Sequence, residues 1–357
     1  MAIIMIAIAI SLILNISKDF VFALSLYLYY GLYSLIICSV IFLFNDVFIF
    51  NTTNNIFLTI TCFLLGYCSS NHDDVFITRC MKIFAVSALF LGIYSVYINL
   101  GNFIISEQYV FAVKNSSGVL LGSAIILCMF ILNNSKNKKQ IALWCIIMLL
   151  LLLCLLVFRC RTAIITVFIS AFLFVSKKNL ISDILQKPLV LLGFIILISL
   201  IGWIDFGITD FIYNSLFANK DVNSIDSITS GRLSTYEVGL QVFYENPFLG
   251  NSILRRHLPP IDNFIISNLA YNGIAGALLM FPPYIIAWYI CLKGLFTKSV
   301  SNLYPFLTLF LICMTSFTEG PYPFGPGTPV VCAWFLLGWR YKSNQLESTE
   351  EDWIETN

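Results

Sequence analysis

Four cations and a histidine, Lys220, Arg232, Arg255, Arg256 and His257, sit in one polar stretch, 206–263, of a chain that is otherwise largely apolar. Guanidinium forks hold phosphate oxygens through paired, charge-assisted hydrogen bonds, so this grouping suits an anionic ligand. Between Thr229 and Gly250, Ser234 and Glu237 have capping-box spacing and Asn246-Pro247 supplies a stop. The spacing predicts a short helix beginning just after Arg232, with Val238, Val242 and Phe243 as its apolar stripe. Its unpaired N–H groups would add to an anion site. An ordinary capped helix with a solvated arginine fits the same residues. Downstream, Arg255-Arg256-His257 leads through Asp262-Asn263 into an apolar run. A partly buried carboxylate has its pKa raised toward neutrality and suits a general base. Asp262 is therefore the first candidate base and His257 the second, with Asn263 placed to position a substrate hydroxyl. The plain alternative is a helix cap, since both Asp and Asn are favoured there.

Further candidates lie at the ends of other apolar runs. Arg159 and Arg161 flank Cys160 at the junction of two of them, where ionisable groups are costly and mark a ligand path or a paired partner. Snorkelling to headgroups is the competing explanation. Lys114 precedes a run, and Glu319, in Thr318-Glu-Gly-Pro, is a second acid/base candidate or a loop residue. Tyr236, Tyr244 and Tyr271 have rings suited to stacking on sugars.

These residues need a frame, and the composition supplies it. Hydrophobic residues make up 59% of the 357 and charged residues 11%, against about 25% charged in soluble domains. About 20 apolar residues span a bilayer. Such runs recur at 2–16, 20–44, 54–69, 82–100, 117–133, 140–158, 161–176, 187–205, 264–292, 302–318 and 327–341. The expected fold is an all-α polytopic membrane protein of about eleven transmembrane helices, one integral domain over 1–357. The long loop 206–263 would carry short helices, and 343–357 would form a solvated acidic tail. The short basic connectors at 134–139, 177–187 and 293–298 belong in the cytoplasm by the positive-inside rule. Threading from them puts thirteen of the twenty cations inside and seven outside: Lys114, Arg159, Arg161, Lys220, Arg232, Arg255 and Arg256. All eleven cysteines lie in or beside apolar runs, with no disulfide or metal-ligand spacing. The first run reads as a retained helix rather than a removed leader.

With these features in order, the chain resembles the bacterial O-antigen polymerase (Wzy-type) family, within the O-antigen ligase and polymerase superfamily. Carrying the resemblance are Lys114-Asn-Ser-Ser-Gly118, Arg161-Thr-Ala163, Ser230-Gly-Arg232, Asn246-Pro-Phe-Leu-Gly250, Asp262-Asn-Phe and Gly273-Ile-Ala-Gly276. The N-terminal third matches in hydropathy alone. The resemblance implies an inner-membrane glycosyltransferase joining undecaprenyl-diphosphate-linked oligosaccharide repeats at the periplasmic face, with a chain-length regulator and a flippase as companions. It implies that Arg161, Arg232 and Arg255 or Arg256 hold diphosphate. Ligase-like members open the corresponding span with a His-Asn pair; here Asp262-Asn263 stands there, with His257 five residues earlier, which favours polymerase over ligase. Diphosphate leaves readily once its charge is stabilised, whereas a sugar hydroxyl needs a base. No cofactor, metal or nucleic-acid partner is expected, and the transfer should invert the anomeric centre. Activity should therefore persist in excess chelator; loss restored by Mg²⁺ would overturn that expectation. The rivals are an O-antigen ligase acting on lipid A–core and a flippase or transporter of lipid-linked sugars. The latter is disfavoured by the absence of visible internal repeats.

Overall fold

Apolar runs of about twenty residues satisfy their own backbone in lipid by coiling into α-helices, and every regular element among the described residues is one. The structure, a computed structural model, describes residues 18–45, 50–69, 74–98, 114–158, 160–177, 232–251, 261–296, 302–325 and 327–355. Its helices are α1 (Lys18–Asn45), α2 (Phe50–Ser69), α3 (Asp74–Ile98), α4 (Lys114–Asn134), α5 (Lys138–Phe158), α6 (Arg161–Lys177), α7 (Arg232–Glu245), α8 (Phe264–Leu295), α9 (Tyr304–Thr315) and α10 (Thr328–Glu355). Four of them, α3, α4, α5 and α8, are long and apolar enough to cross a membrane. On α5, Leu143, Ile146, Leu149 and Leu153 are all exposed, an apolar stripe that acyl chains would cover and water would penalise. Among the described residues the chain is all-helical, with four helices fit to cross a membrane. Nine of the eleven apolar runs fall on the described helices, while 2–16 and 187–205 lie outside the described residues. Over the acidic tail α10 continues to Glu355, as suits Glu and Gln, both good helix formers.

The chain divides into two compact units. The second runs from Ile77 to Ser230 with Leu295 to Leu307, and its described part holds most of α3 and all of α4, α5 and α6. There α4 packs against α5 and α6. Gly118 near the start of α4 backs onto the Cys160 and Ala163 side chains, and Cys160 Sγ lies 3.9 Å from the Asn115 carbonyl. Two separate sequence motifs, 114–118 and 161–163, thereby become neighbours.

The first unit contains α1, α2, α7, most of α8, and α10. Helices α2 and α10 pack with their backbones touching, because Gly66 faces the Phe335 carbonyl and Gly338 faces that of Phe63; small residues permit this close approach in membrane bundles. Helix α8, which covers the run the sequence reads as a span at 264–292, is broken inside. Gly273 has φ 60° and ψ −162°, far from helical, and the chain bends there into two arms, 264–272 and 274–295. The N–H groups freed by the bend are satisfied from outside. Ile274 N donates to the Pro247 carbonyl at 2.9 Å, and Ala275 N to that of Phe248 at 3.0 Å. Asn251 N in turn donates to the Ala270 carbonyl at 2.9 Å. The motif at 246–250 is thus the plug of the bend at 273–276. A β-carbon on Gly273 would strike backbone atoms of Phe248, Leu249 and Gly250, and its backbone region is one that glycine alone occupies freely. Gly273→Ala should cost at least roughly 1–3 kcal/mol from backbone strain alone. An unchanged thermal unfolding midpoint of the purified variant would refute this.

Candidate functional site

Helix α7 forms where its sequence separates two faces. Tyr236, Gly239 and Val242, three apart, turn inward, while Glu237, Gln241 and Glu245, four apart, are exposed. Gly239 lets α7 approach Ile261 and Ile266 closely. Val242 joins Ile261, Ala270 and Tyr271 in a buried cluster, with Tyr236 and Ile266 packed against it. The helix begins at Arg232 itself, so Ser234 lies inside the first turn rather than capping it. Arg232 therefore opens the helix instead of preceding it, and Thr235 Oγ1 donates to its carbonyl at 2.8 Å.

This packing brings together three charges that lie far apart in sequence. Arg232 Nε is 4.0 Å from Asp262 Oδ2, and Arg232 Nη2 is 3.9 Å from Glu319 Oε1. Both separations exceed a hydrogen bond, so the guanidinium stands between two carboxylates without being clamped by either. All three side chains are partly exposed, Asp262 the most at 38%. Burial pushes the Asp262 carboxyl above its ordinary range, and the Arg232 charge pulls it back only in part. Burial likewise raises the Tyr236 hydroxyl, against opposing effects of Arg232 and of a hydrogen bond with Asn263; the charges of Asp262 and Glu319 add to the rise.

The scaffold beneath these charges is made of backbone. Tyr236 Oη lies 2.8 Å from the Phe317 carbonyl and 3.0 Å from that of Asp262, and its single proton serves one at a time. Asn263 Oδ1 accepts from Ile265 N at 2.9 Å and Ile266 N at 3.0 Å, while its Nδ2 donates to the Phe317 carbonyl at 3.3 Å. Phe264 N donates to the Ser316 carbonyl at 2.9 Å.

These bonds settle which residue caps α8. It is Asn263, buried and with both polar ends engaged, and not Asp262. The cap explanation for Asp262 falls away, and Asn263 acts as scaffold where the sequence suggested a hydroxyl partner. Asn263→Ala should therefore cost about 0.5–2 kcal/mol of stability. Thermal unfolding with and without the substitution measures it, and no loss would remove the cap.

Of the other sequence candidates, Arg161 opens α6 in the second unit and is half-buried. For Lys114 only the backbone is described, at the start of α4. Arg159, Lys220, Arg255, Arg256 and His257 lie outside the described residues. Tyr271 is buried in the α7–α8 cluster, whereas Tyr244 is 73% exposed. Sequence reasoning missed Ser316 and Phe317, whose carbonyls tie the turn after α9 to Tyr236, Asn263 and Phe264. A backbone carbonyl leaves no signature in residue type. Among the described residues, no three His, Cys, Asp or Glu side chains group as metal ligands. No family model matches the chain, and no curated protein matches it.

Proposed function

We propose that the chain is a polysaccharide repeat-unit polymerase of the O-antigen type, a metal-independent, inverting glycosyltransferase of the bacterial inner membrane. In this reading eleven spans leave the C-terminus in the cytoplasm and the loop 206–263 open to the periplasmic side. The donor is an oligosaccharide on undecaprenyl diphosphate, and the acceptor is the sugar end of a second lipid-linked repeat. An acceptor hydroxyl oxygen attacks the anomeric carbon, and the bond from that carbon to the diphosphate oxygen breaks. Undecaprenyl diphosphate departs with the electron pair, and the hydroxyl proton passes to Asp262. Arg232 faces the charge that grows on the leaving diphosphate, where a guanidinium fork suits two oxygens at once. Glu319 steadies Arg232 from its other side.

The observation that carries this reading is the meeting of Arg232, Asp262 and Glu319 in one partly buried cluster, with Asp262 relieved of any capping duty. The test is the glycolipid profile of a deletion strain. Single repeat units in the deletion, with a full ladder restored by the wild-type chain, would support polymerisation. An unchanged ladder would sink it. Polymer that stays on the carrier without reaching lipid A–core would point to ligase, and repeats trapped on the inner leaflet would point to transport.

A further inference from the structure

The 32 residues of α8 would measure about 48 Å if straight, well beyond the roughly 30 Å of hydrocarbon. The helix is not straight. The Phe264 ring stacks on that of Tyr284 with centroids 4.7 Å apart. Twenty residues of continuous helix would hold those two positions about 30 Å apart. Tyr284 Oη lies 2.9 Å from Ser316 Oγ, and Ser316 accepts from Phe264 N, so the contact is fixed by two further bonds. The arm 264–272 therefore folds back beside the arm 274–295, with Gly273 at the apex. The second arm alone, 22 residues by these bounds, measures about 33 Å, the length of one span.

Exposure changes at the same place. No residue of 264–273 is exposed, whereas Ile274, Leu278, Ile285, Ile286, Tyr289 and Leu292 all are. Their spacing keeps them on one side of the second arm. That arm carries no charge before Lys293, whose Nζ lies 5.9 Å from the Tyr289 ring centroid, a cation and an aromatic suited to the opposite interface.

We propose that Gly273 marks one surface of the bilayer and Lys293 the other, with the apolar stripe from Ile274 to Leu292 facing lipid. The Arg232–Asp262–Glu319 cluster then lies about 15 Å below the Gly273 surface, level with Tyr284 and near the middle of the bilayer. Helix α7 descends with it. Arg232 starts beside Asp262, Val242 packs on Ala270 and Tyr271, and the loop after α7 plugs the bend. Of its exposed polar residues, Gln241 and Glu245 lie near the Gly273 surface, beside the Val242 that packs on Ala270 and Tyr271, whereas Glu237, five residues after Arg232, lies below that surface, where a charged side chain does not border acyl chains. These residues line a water-filled cleft leading from the Gly273 surface down to the cluster. Hydrophilic substrate would descend this cleft while a lipid tail stayed in the bilayer. The depth holds whether or not the chain transfers sugars.

The full-length protein in its native membrane tests this in two ways. p-Benzoylphenylalanine replaces Ile274, Leu278 or Ile285, and lipid adducts formed on irradiation are detected by mass spectrometry. Adducts at all three positions are expected. Adducts at Ile285 without any at Ile274 or Leu278 would place the bend above the bilayer and overturn the proposal. In parallel, Glu237→Cys is exposed to a charged, membrane-impermeant maleimide, and the labelled peptide is read directly so that the native cysteines stay in place. Labelling within severalfold of the denatured protein is expected. A thiol there that reacts only after denaturation would remove the water-filled cleft.

Discussion

Asp262→Asn is expected to lower transfer by about 10²–10⁴-fold, the usual contribution of a general base, with the protein still folded and inserted. The substitution keeps the shape of the side chain and removes its capacity to take a proton. A helix cap would confuse the result at many such positions, but here Asn263 caps α8. Loss of activity therefore reports chemistry rather than folding. The wild type supplies an independent check through pH. Burial holds the Asp262 carboxyl above its ordinary value of 3.8. The base must be deprotonated to act, so activity should fall as pH drops through that raised pKa, and the acid limb should lie above the ordinary carboxylate range. Near wild-type rates in Asp262→Asn would remove Asp262 as the base and move attention to His257.

The apolar helices were readable because a bilayer imposes hydropathy on every segment that crosses it, independently of tertiary detail. Suspicion of Asp262 and Glu319 was available for a related reason, that charges at the ends of apolar runs are costly and conspicuous, and Arg232 stood out as a cation in the polar stretch threaded to the outer side. What sequence alone left open was which of two neighbours, Asp262 or Asn263, caps the helix. Both residue types cap well, and the choice depends on where the first turn begins. That point is pinned by Phe264 N on the Ser316 carbonyl, a contact across about fifty residues of sequence. The bend in α8 was hidden for a similar reason. A lone glycine in an apolar run is commonplace, and Gly273 breaks the helix only because Pro247 and Phe248 offer carbonyls to the N–H groups it frees. The motif at 246–250 was visible as a turn, and its partner was not. Local pattern gives element type; long-range hydrogen bonds decide where an element stops and which side chain is left for chemistry.

Arg232→Ala should abolish polymer formation while leaving the protein inserted and abundant. Loss of one preorganised donor facing developing charge commonly costs 10²–10³-fold, and here the same side chain also separates two carboxylates. Without it, Asp262 and Glu319 face one site with no cation between them, so a diphosphate approaching it meets repulsion in place of attraction. The same loss has a signature that a purely structural role would not produce. Arg232 lowers the Asp262 pKa against the rise caused by burial; removing it lets the pKa climb further. The acid limb of any residual activity should shift to higher pH, so raising the pH should recover part of the rate. Arg232→Lys keeps the charge but not the fork. It should leave the limb near its wild-type position while still losing much of the rate. A limb that does not move in Arg232→Ala, together with wild-type polymer length, would take Arg232 out of the mechanism. A limb that moves in Arg232→Ala and not in Arg232→Lys would tie the charge of Arg232 to Asp262, and the remaining deficit in the lysine variant would measure what the fork contributes to the departing diphosphate.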